Sequence, residues 1–473
     1  MTELHDLSAL EQATAIRHRE ISPVELTQHY LARIDRHSAD LGAFVTVTPE
    51  LALEQAKAAE AAVAAGGDLP PLHGVPTAIK DLNATAGVRT TLGSAAFADW
   101  VPDYDDNVVR QLRTAGTISL GKTNTPEFGL PCYTEPEVAR PARTPWDTTR
   151  SAGGSSGGAG AAVAAGLVPF AQGSDGGGSV RIPSSVCGLF GIKTGRGRIS
   201  SGPRGNDVTG LSGAGPLART VADAAAMLDA MCGMQPGDPA WAQPLPAGET
   251  FLAQASREPG RLRIGRYRDN LLGAPLDPAC VTAWEEASAL LAELGHDVVD
   301  VPCPSFGDLY GAFVVLWSTG AAAIPLQPRQ AEQIRPLTRM LRERGAQFSA
   351  ADFVTAVGQL QAAARQHLSQ TWEYDAVLTP TLAQLPALVG SLRDDAEPTH
   401  DFAAQGAFTP FTAFYNMTGQ PGANVPLHRT PEGLPVGVQL VGRSADEATL
   451  IRLSAQLEAA RPWKDAHPAV WTA

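Results

Sequence analysis

Residues 151–183 decide the reading. They run Ser151-Ala152-Gly153-Gly154-Ser155-Ser156-Gly157-Gly158, then an Ala/Gly stretch through Gly166, then an apolar segment at 168–171. They end in Gly173-Ser174-Asp175-Gly176-Gly177-Gly178-Ser179-Val180-Arg181-Ile182-Pro183. Both glycine-serine runs are loops by composition. The Ala/Gly stretch between them predicts a helix, and 168–171 predicts a short buried strand. Loop, helix, strand and loop in close succession make a unit of an α/β fold. Three glycines before Ser179 let the N–H groups of Gly176, Gly177 and Gly178 turn toward one point. That geometry suits an oxyanion hole, with Ser179 as the nucleophile. A glycine-rich turn with a helix-capping serine would carry the same letters.

A serine hydroxyl needs a base, and no histidine lies in these segments. Upstream, Gly74-Val75-Pro76-Thr77-Ala78-Ile79-Lys80-Asp81 predicts a strand with a charge at its far end. Burial there would disfavour the ammonium form of Lys80. To act near neutrality, its pKa must fall by roughly 3 from about 10.4. The plainer alternative is a lysine snorkelling at a strand edge.

Helix and strand patterns continue outward. The first 66 residues predict helices, with a capping box in Ser22-Pro23-Val24-Glu25 and a helix start at Thr48-Pro49-Glu50. Residues 106–115 predict a helix and 117–120 a strand. Farther on come a helix at 276–295, strands at 297–301, 376–378 and 436–441, and a helix at 444–460. The fold class is therefore α/β, a central mixed β-sheet covered by helices on both faces. No repeat or linker divides the chain. We expect one domain over 1–473, with a helical segment at about 1–66, a catalytic core at about 70–215 and a variable pocket region at about 236–420.

Composition narrows the function classes. The 473 residues are 44% hydrophobic, enough for a large core and unlike a disulfide-stapled scaffold. A net charge of −13 argues against nucleic acid and anionic membrane surfaces. Five cysteines form no CxxC pair, so neither a metal site nor a disulfide framework is indicated. No signal-peptide core or membrane-spanning apolar run is present. A cytoplasmic enzyme without cofactor or metal is the expectation.

Three motifs mislead. Gly116-Thr117-Ile118-Ser119-Leu120-Gly121-Lys122-Thr123 spells a phosphate-binding loop, but its inner residues read as a core strand. Ser119 to Lys122 and Lys193-Thr194-Gly195 spell motifs of penicillin-recognising enzymes, which need Ser119 at a helix start. Gly153-Gly154-Ser155-Ser156-Gly157 spells a nucleophile elbow, but Pro145-Trp146-Asp147-Thr148-Thr149-Arg150 before it is no hydrophobic strand. A Ser-His-Asp esterase using Ser155 stays as an alternative.

Taken together, the strand-end lysine and the two glycine-serine runs resemble the amidase signature family. So do Gly121-Lys122-Thr123-Asn124-Thr125-Pro126-Glu127-Phe128, Tyr374-Asp375-Ala376-Val377-Leu378-Thr379-Pro380-Thr381 and Leu434-Pro435-Val436-Gly437-Val438-Gln439-Leu440-Val441-Gly442. The resemblance implies a Ser–cis-Ser–Lys triad: Ser179 as nucleophile, Ser155 as bridge on a cis peptide after Gly154, and neutral Lys80 as base. Ser156 is a weaker candidate for the bridge. Asp175 and Arg181 resemble the family's supporting polar pair. Gly176 departs from the family, which often has Thr there.

The resemblance also implies hydrolysis of small-molecule amides, with carbamates and esters open to the same route, and makes a homodimer a common arrangement. Within the family the chain resembles bacterial enzymes acting on aryl amides and nylon-type oligoamides. The family includes the glutaminase subunit of tRNA-dependent amidotransferases. The Ala- and Gln-rich stretch at 348–373 lacks that subunit's Tyr- and Lys-rich signature, so an apolar or aromatic substrate fits better. Leu130, Cys132, Tyr133, Trp317 and Phe411 are the expected pocket walls, although such residues also make ordinary core.

Overall fold

In the computed structural model, which describes residues 3–205, 208–304 and 308–473, the alternating elements assemble around one eleven-stranded sheet among the described residues. The strands are β1 (Phe44–Val47), β2 (Pro76–Lys80), β3 (Ile118–Thr123), β4 (Phe170–Asp175), β5 (Phe190–Lys193) and β6 (Gly213–Ala218). They continue as β7 (Arg263–Arg266), β8 (Asp297–Asp300), β9 (Ala376–Pro380), β10 (Gly422–Arg429) and β11 (Pro435–Gly442). Their spatial order is β1-β3-β2-β4-β6-β5-β10-β11-β9-β7-β8. The sheet is mixed. β2 runs parallel to β3 and β4, and β7 to β8 and β9. The pairs from β4 through β6, β5, β10 and β11 to β9 are antiparallel.

This order positions the site. Ala78 of β2 faces Ala171 of the parallel β4, so Lys80 and Asp175 lie at the same end of adjacent strands. Functional groups in α/β sheets gather beyond the carboxyl ends of such strands. The helix Gly157–Ala164 is buried along its whole length and packs on Arg181–Cys187, which fixes both glycine-serine loops beside each other. A second set of helices, Val221–Met231, Pro278–Glu293 and Glu447–Ala460, covers β4 to β6 and β9 to β11.

Two local expectations resolve differently. Ser22 caps the helix Pro23–Leu41 by accepting from the N–H groups of Val24 and Glu25, but the Glu25 side chain returns no bond to the Ser22 N–H, and the Ser22 hydroxyl donates to Glu60. A reciprocal box instead opens Ala9–Arg17, where Ser8 and Glu11 cap each other. The phosphate-loop letters are strand β3. Its Lys122 is buried and donates to the Asn83 carbonyl and to Thr85 Oγ1 at 3.1 Å. Ser119 lies within that strand, not at a helix start. Among the described residues, no helix is long and apolar enough to cross a membrane.

Candidate active site

Lys80 ends β2 fully buried. Its Nζ donates to Ser155 Oγ at 2.8 Å, to Ser174 Oγ at 3.0 Å and to the Ser174 carbonyl at 3.3 Å. Burial lowers its pKa to about 7, against the opposing pull of the Asp175 carboxylate. The Gly154–Ser155 peptide is cis. Ser156 links the two loops, donating its N–H to the Ser179 carbonyl at 3.2 Å and its hydroxyl to the Ser174 carbonyl at 3.2 Å. Ser179 lies on a cavity wall, and its hydroxyl has no hydrogen-bond partner among the described residues.

The loop before Ser179 is built on Asp175. Its Oδ1 accepts from Gly178 N at 2.7 Å, and its Oδ2 from Val180 N at 3.1 Å. The Arg181 guanidinium grips both carboxylate oxygens, at 2.8 and 2.9 Å, and both side chains are completely buried. Burial opposes the charge on Asp175, but Arg181 outweighs it and holds the carboxyl well below the usual range. The guanidinium is fully engaged, donating also to Gln439 Oε1, Asn416 Oδ1 and the Thr412 carbonyl. Asn416 Nδ2 returns a bond to Asp175 Oδ1 at 2.9 Å, and Thr412 Oγ1 donates to the Gly177 carbonyl at 2.6 Å.

This arrangement corrects the expected oxyanion donors. The Gly178 N–H is taken by Asp175 and cannot serve. The N–H groups of Gly176, Gly177 and Ser179 are free among the described residues. Gly178 is required for another reason. Its φ is +135°, and a Cβ there would lie 2.3 Å from Thr412 Oγ1.

The cavity at Ser179 encloses about 830 Å³ including its open mouth, between walls that include Leu130, Cys132, Ile182, Phe313, Trp317 and Phe402. Of the residues expected as pocket walls, Leu130, Cys132 and Trp317 line this cavity. Burial pushes the Cys132 thiol up, so it stays protonated. Tyr133 and Phe411 are not on the wall. Tyr133 turns away, and its hydroxyl donates to Asp401 at 2.6 Å. Phe411 packs inward with Leu211, Tyr415 and Val441. A second, larger cavity is lined by Ser155, Ser174 and Gly176.

Sequence reasoning assigned no site role to Ser174, Thr412, Asn416 or Gln439. Thr412, Asn416 and Gln439 lie more than two hundred residues from the loop they brace. For the esterase alternative, the hydroxyl partner of Ser155 is Lys80, where that chemistry needs a histidine. Outside the site, Glu3, His5 and His29 bring possible metal-ligating atoms within 4.8 Å of one another. There His5 Nδ1 and His29 Nε2 already bond each other at 3.0 Å.

Comparisons with known proteins place the chain in a family. A family model described as Amidase matches residues 25–451. A protein named "Putative amidase AmiB2" from Mycobacterium tuberculosis is 40% identical over 99% of this chain and 99% of its own. The 6-aminohexanoate-cyclic-dimer hydrolase of Paenarthrobacter ureafaciens is 37% identical over 97% of this chain and 96% of its own. A solved structure of 6-aminohexanoate cyclic dimer hydrolase matches with a TM-score of 0.91 and 33% identity, covering 99% of this chain and 100% of that one.

Proposed function

The chain belongs to the amidase family, hydrolases of amide C–N bonds, and from that premise we propose that it cleaves small-molecule amides through an acyl-enzyme on Ser179. Ser179 Oγ forms a bond to the carbonyl carbon. Its proton passes to Ser155, whose own proton passes to the neutral Lys80 amine. The Ser179 hydroxyl has no competing partner among the described residues, and its loop is tied to that of Ser155 by the Ser156 N–H bond to the Ser179 carbonyl. The free N–H groups of Gly176, Gly177 and Ser179 meet the oxyanion; one such donor contributes about 3–4 kcal/mol. The Lys80 ammonium then returns a proton through Ser155 to the leaving nitrogen, and the C–N bond breaks. Water repeats the sequence on the ester, releasing the acid and restoring Ser179.

One observation carries this reading: a buried lysine with pKa lowered to about 7 donates to Ser155 Oγ at 2.8 Å. A lysine merely snorkelling would leave its ammonium in water. Asp175 and Arg181 shape the loop and touch no reacting atom.

The apolar cavity supports hydrophobic or aryl amides as substrates, with carbamates and esters open to the same acyl-enzyme route. The oligoamide hydrolases among its relatives make cyclic and linear oligoamides further candidates. A glutaminase role is disfavoured, because a zwitterionic amino acid would find apolar walls in the cavity at Ser179. The purified enzyme should be assayed on anilides, aliphatic amides, nitrophenyl esters and aryl carbamates, with glutamine as comparator. Turnover of anilides that is lost in Ser179→Ala is expected. Activity on glutamine alone, or inactivity on all four classes, would overturn the substrate class.

A further inference from the structure

The site opens into two cavities, and the side chains of Leu130 and Trp317 stand between them. The cavity at Ser179 and Gly177 is strongly apolar, with half-exposed Leu271, Leu272 and Tyr310 at its mouth. The larger cavity meets Ser155, Ser174 and Gly176. Leu130 and Trp317 line both. Trp317 lies on the helix Leu309–Ala322, stacked on Phe313 one turn earlier, with ring centroids 5.2 Å apart and planes 24° apart. Its ring edge abuts the oxyanion loop. A Cβ built on Gly176 would lie 3.4 Å from Trp317 Cη2 and Cζ3 and 3.2 Å from Ser212 Oγ. A Cβ there would meet the indole in van der Waals contact and crowd Ser212, so a branched side chain at 176 would press on the ring.

We infer that Trp317 is a specificity-determining partition that sorts the two sides of the scissile amide, sending the acyl group to the apolar cavity and the amine to the larger one. This inference rests on the acyl-enzyme reading of Ser179. In that reading the leaving nitrogen must receive its proton from Ser155, whose hydroxyl lines the larger cavity. The other carbonyl substituent then has only the apolar side, between Leu130, Phe313, Phe402 and the indole. The substrate class that follows is an amide with an apolar acyl group short enough to end within that cavity. The amine is less restricted.

The test is a series of straight-chain acyl p-nitroanilides that share one amine and differ only in acyl length. In the unmodified enzyme, kcat/KM should rise about fourfold per methylene, the effect of burying one methylene, until the cavity is full, and then fall. Trp317→Ala should move the optimum to longer chains and raise the long-to-short ratio of kcat/KM at least tenfold, chiefly through KM. Trp317→Phe should move it part of the way. Gly176→Val should press the ring toward the apolar cavity and move the optimum to shorter chains. Opposite shifts from the two positions are not expected of side chains that only support the fold. If Trp317→Ala fails to fold, Trp317→Phe and Gly176→Val still decide. Equal loss at every chain length in these variants would overturn the partition. So would a series with fixed acyl and varied amine responding where the acyl series does not. Intact-mass detection of the acyl adduct on Ser179 separates the two readings. No adduct, or full turnover by Ser179→Ala, sinks the acyl-enzyme reading itself. An adduct with length-independent variants sinks only the partition.

Discussion

Lys80 and Arg181 are both buried basic side chains at the site, with opposite electrostatic fates. Lys80 has no carboxylate in contact, and burial brings its pKa down to about 7. Arg181 has Asp175 against it and stays charged within a fully bonded network. The sign of the first effect is definite. The folded pKa lies below the unfolded value of 10.5, so the unfolded chain binds more protons between about pH 7 and 10.5. Burying this lysine therefore costs about 4–5 kcal/mol below pH 7, and the cost vanishes as pH rises toward 10.5. Lys80→Met should be inactive yet more thermally stable than the parent at pH 7, and calorimetry from pH 7 to 10 should find the gap narrowing. A gap independent of pH would contradict a neutral buried amine. Arg181→Ala would instead strand the Asp175 carboxylate, and urea titration should report about 3–5 kcal/mol of lost stability.

At the scale of elements, the glycine loop before Ser179 is held from three separate segments. The end of β4 supplies Asp175, the segment entering the helix Ala413–Met417 supplies Thr412, and β11 supplies Gln439. The Thr412 hydroxyl reaches the Gly177 carbonyl at 2.6 Å and the Thr409 carbonyl at 3.4 Å, while Arg181 uses only its backbone carbonyl, so replacing the hydroxyl tests the hold on the loop without removing the Arg181 contact. Thr412→Val should lower kcat about 10- to 100-fold with KM little changed, and Thr412→Ser should restore most of it. Steady-state kinetics on one anilide decides; a KM effect alone would assign Thr412 to the pocket. Gly178→Ala should be worse, because its Cβ meets Thr412 Oγ1 at a backbone angle that side chains avoid. The sequence told much about this element and little about its bracing. The glycines, Ser155, Ser179 and the strand ending in Lys80 are local patterns, and local patterns can be read along a chain. Gln439 sits inside the segment 434–442, which was legible, and Asn416 in none of the motifs read from the sequence. Their contacts with Arg181 depend on strand order, which no local pattern encodes. Tyr133 and Phe411 were misplaced for a related reason. Aromatic character marks them for burial, but whether against substrate or against core depends on which way the chain turns.

For the whole molecule, the mixed sheet is what makes a lysine from the first hundred residues, serines from the second and braces from the last hundred into neighbours. Helix and strand alternation made that architecture legible. The phosphate-loop letters in β3 mislead only if read without it, since Lys122 there is spent on Asn83 and Thr85. The central claim is that the assembled enzyme runs on a neutral Lys80 acting through Ser155. Its most direct measurement is the pH dependence of kcat/KM for the intact enzyme and for Lys80→Ala on one anilide. The parent should climb with pH through about 7, as the buried ammonium loses its proton. The variant should be slower by about 10²–10⁴-fold and lose that limb. A variant that keeps the limb near pH 7, or most of the rate, would contradict the claim and place the base elsewhere.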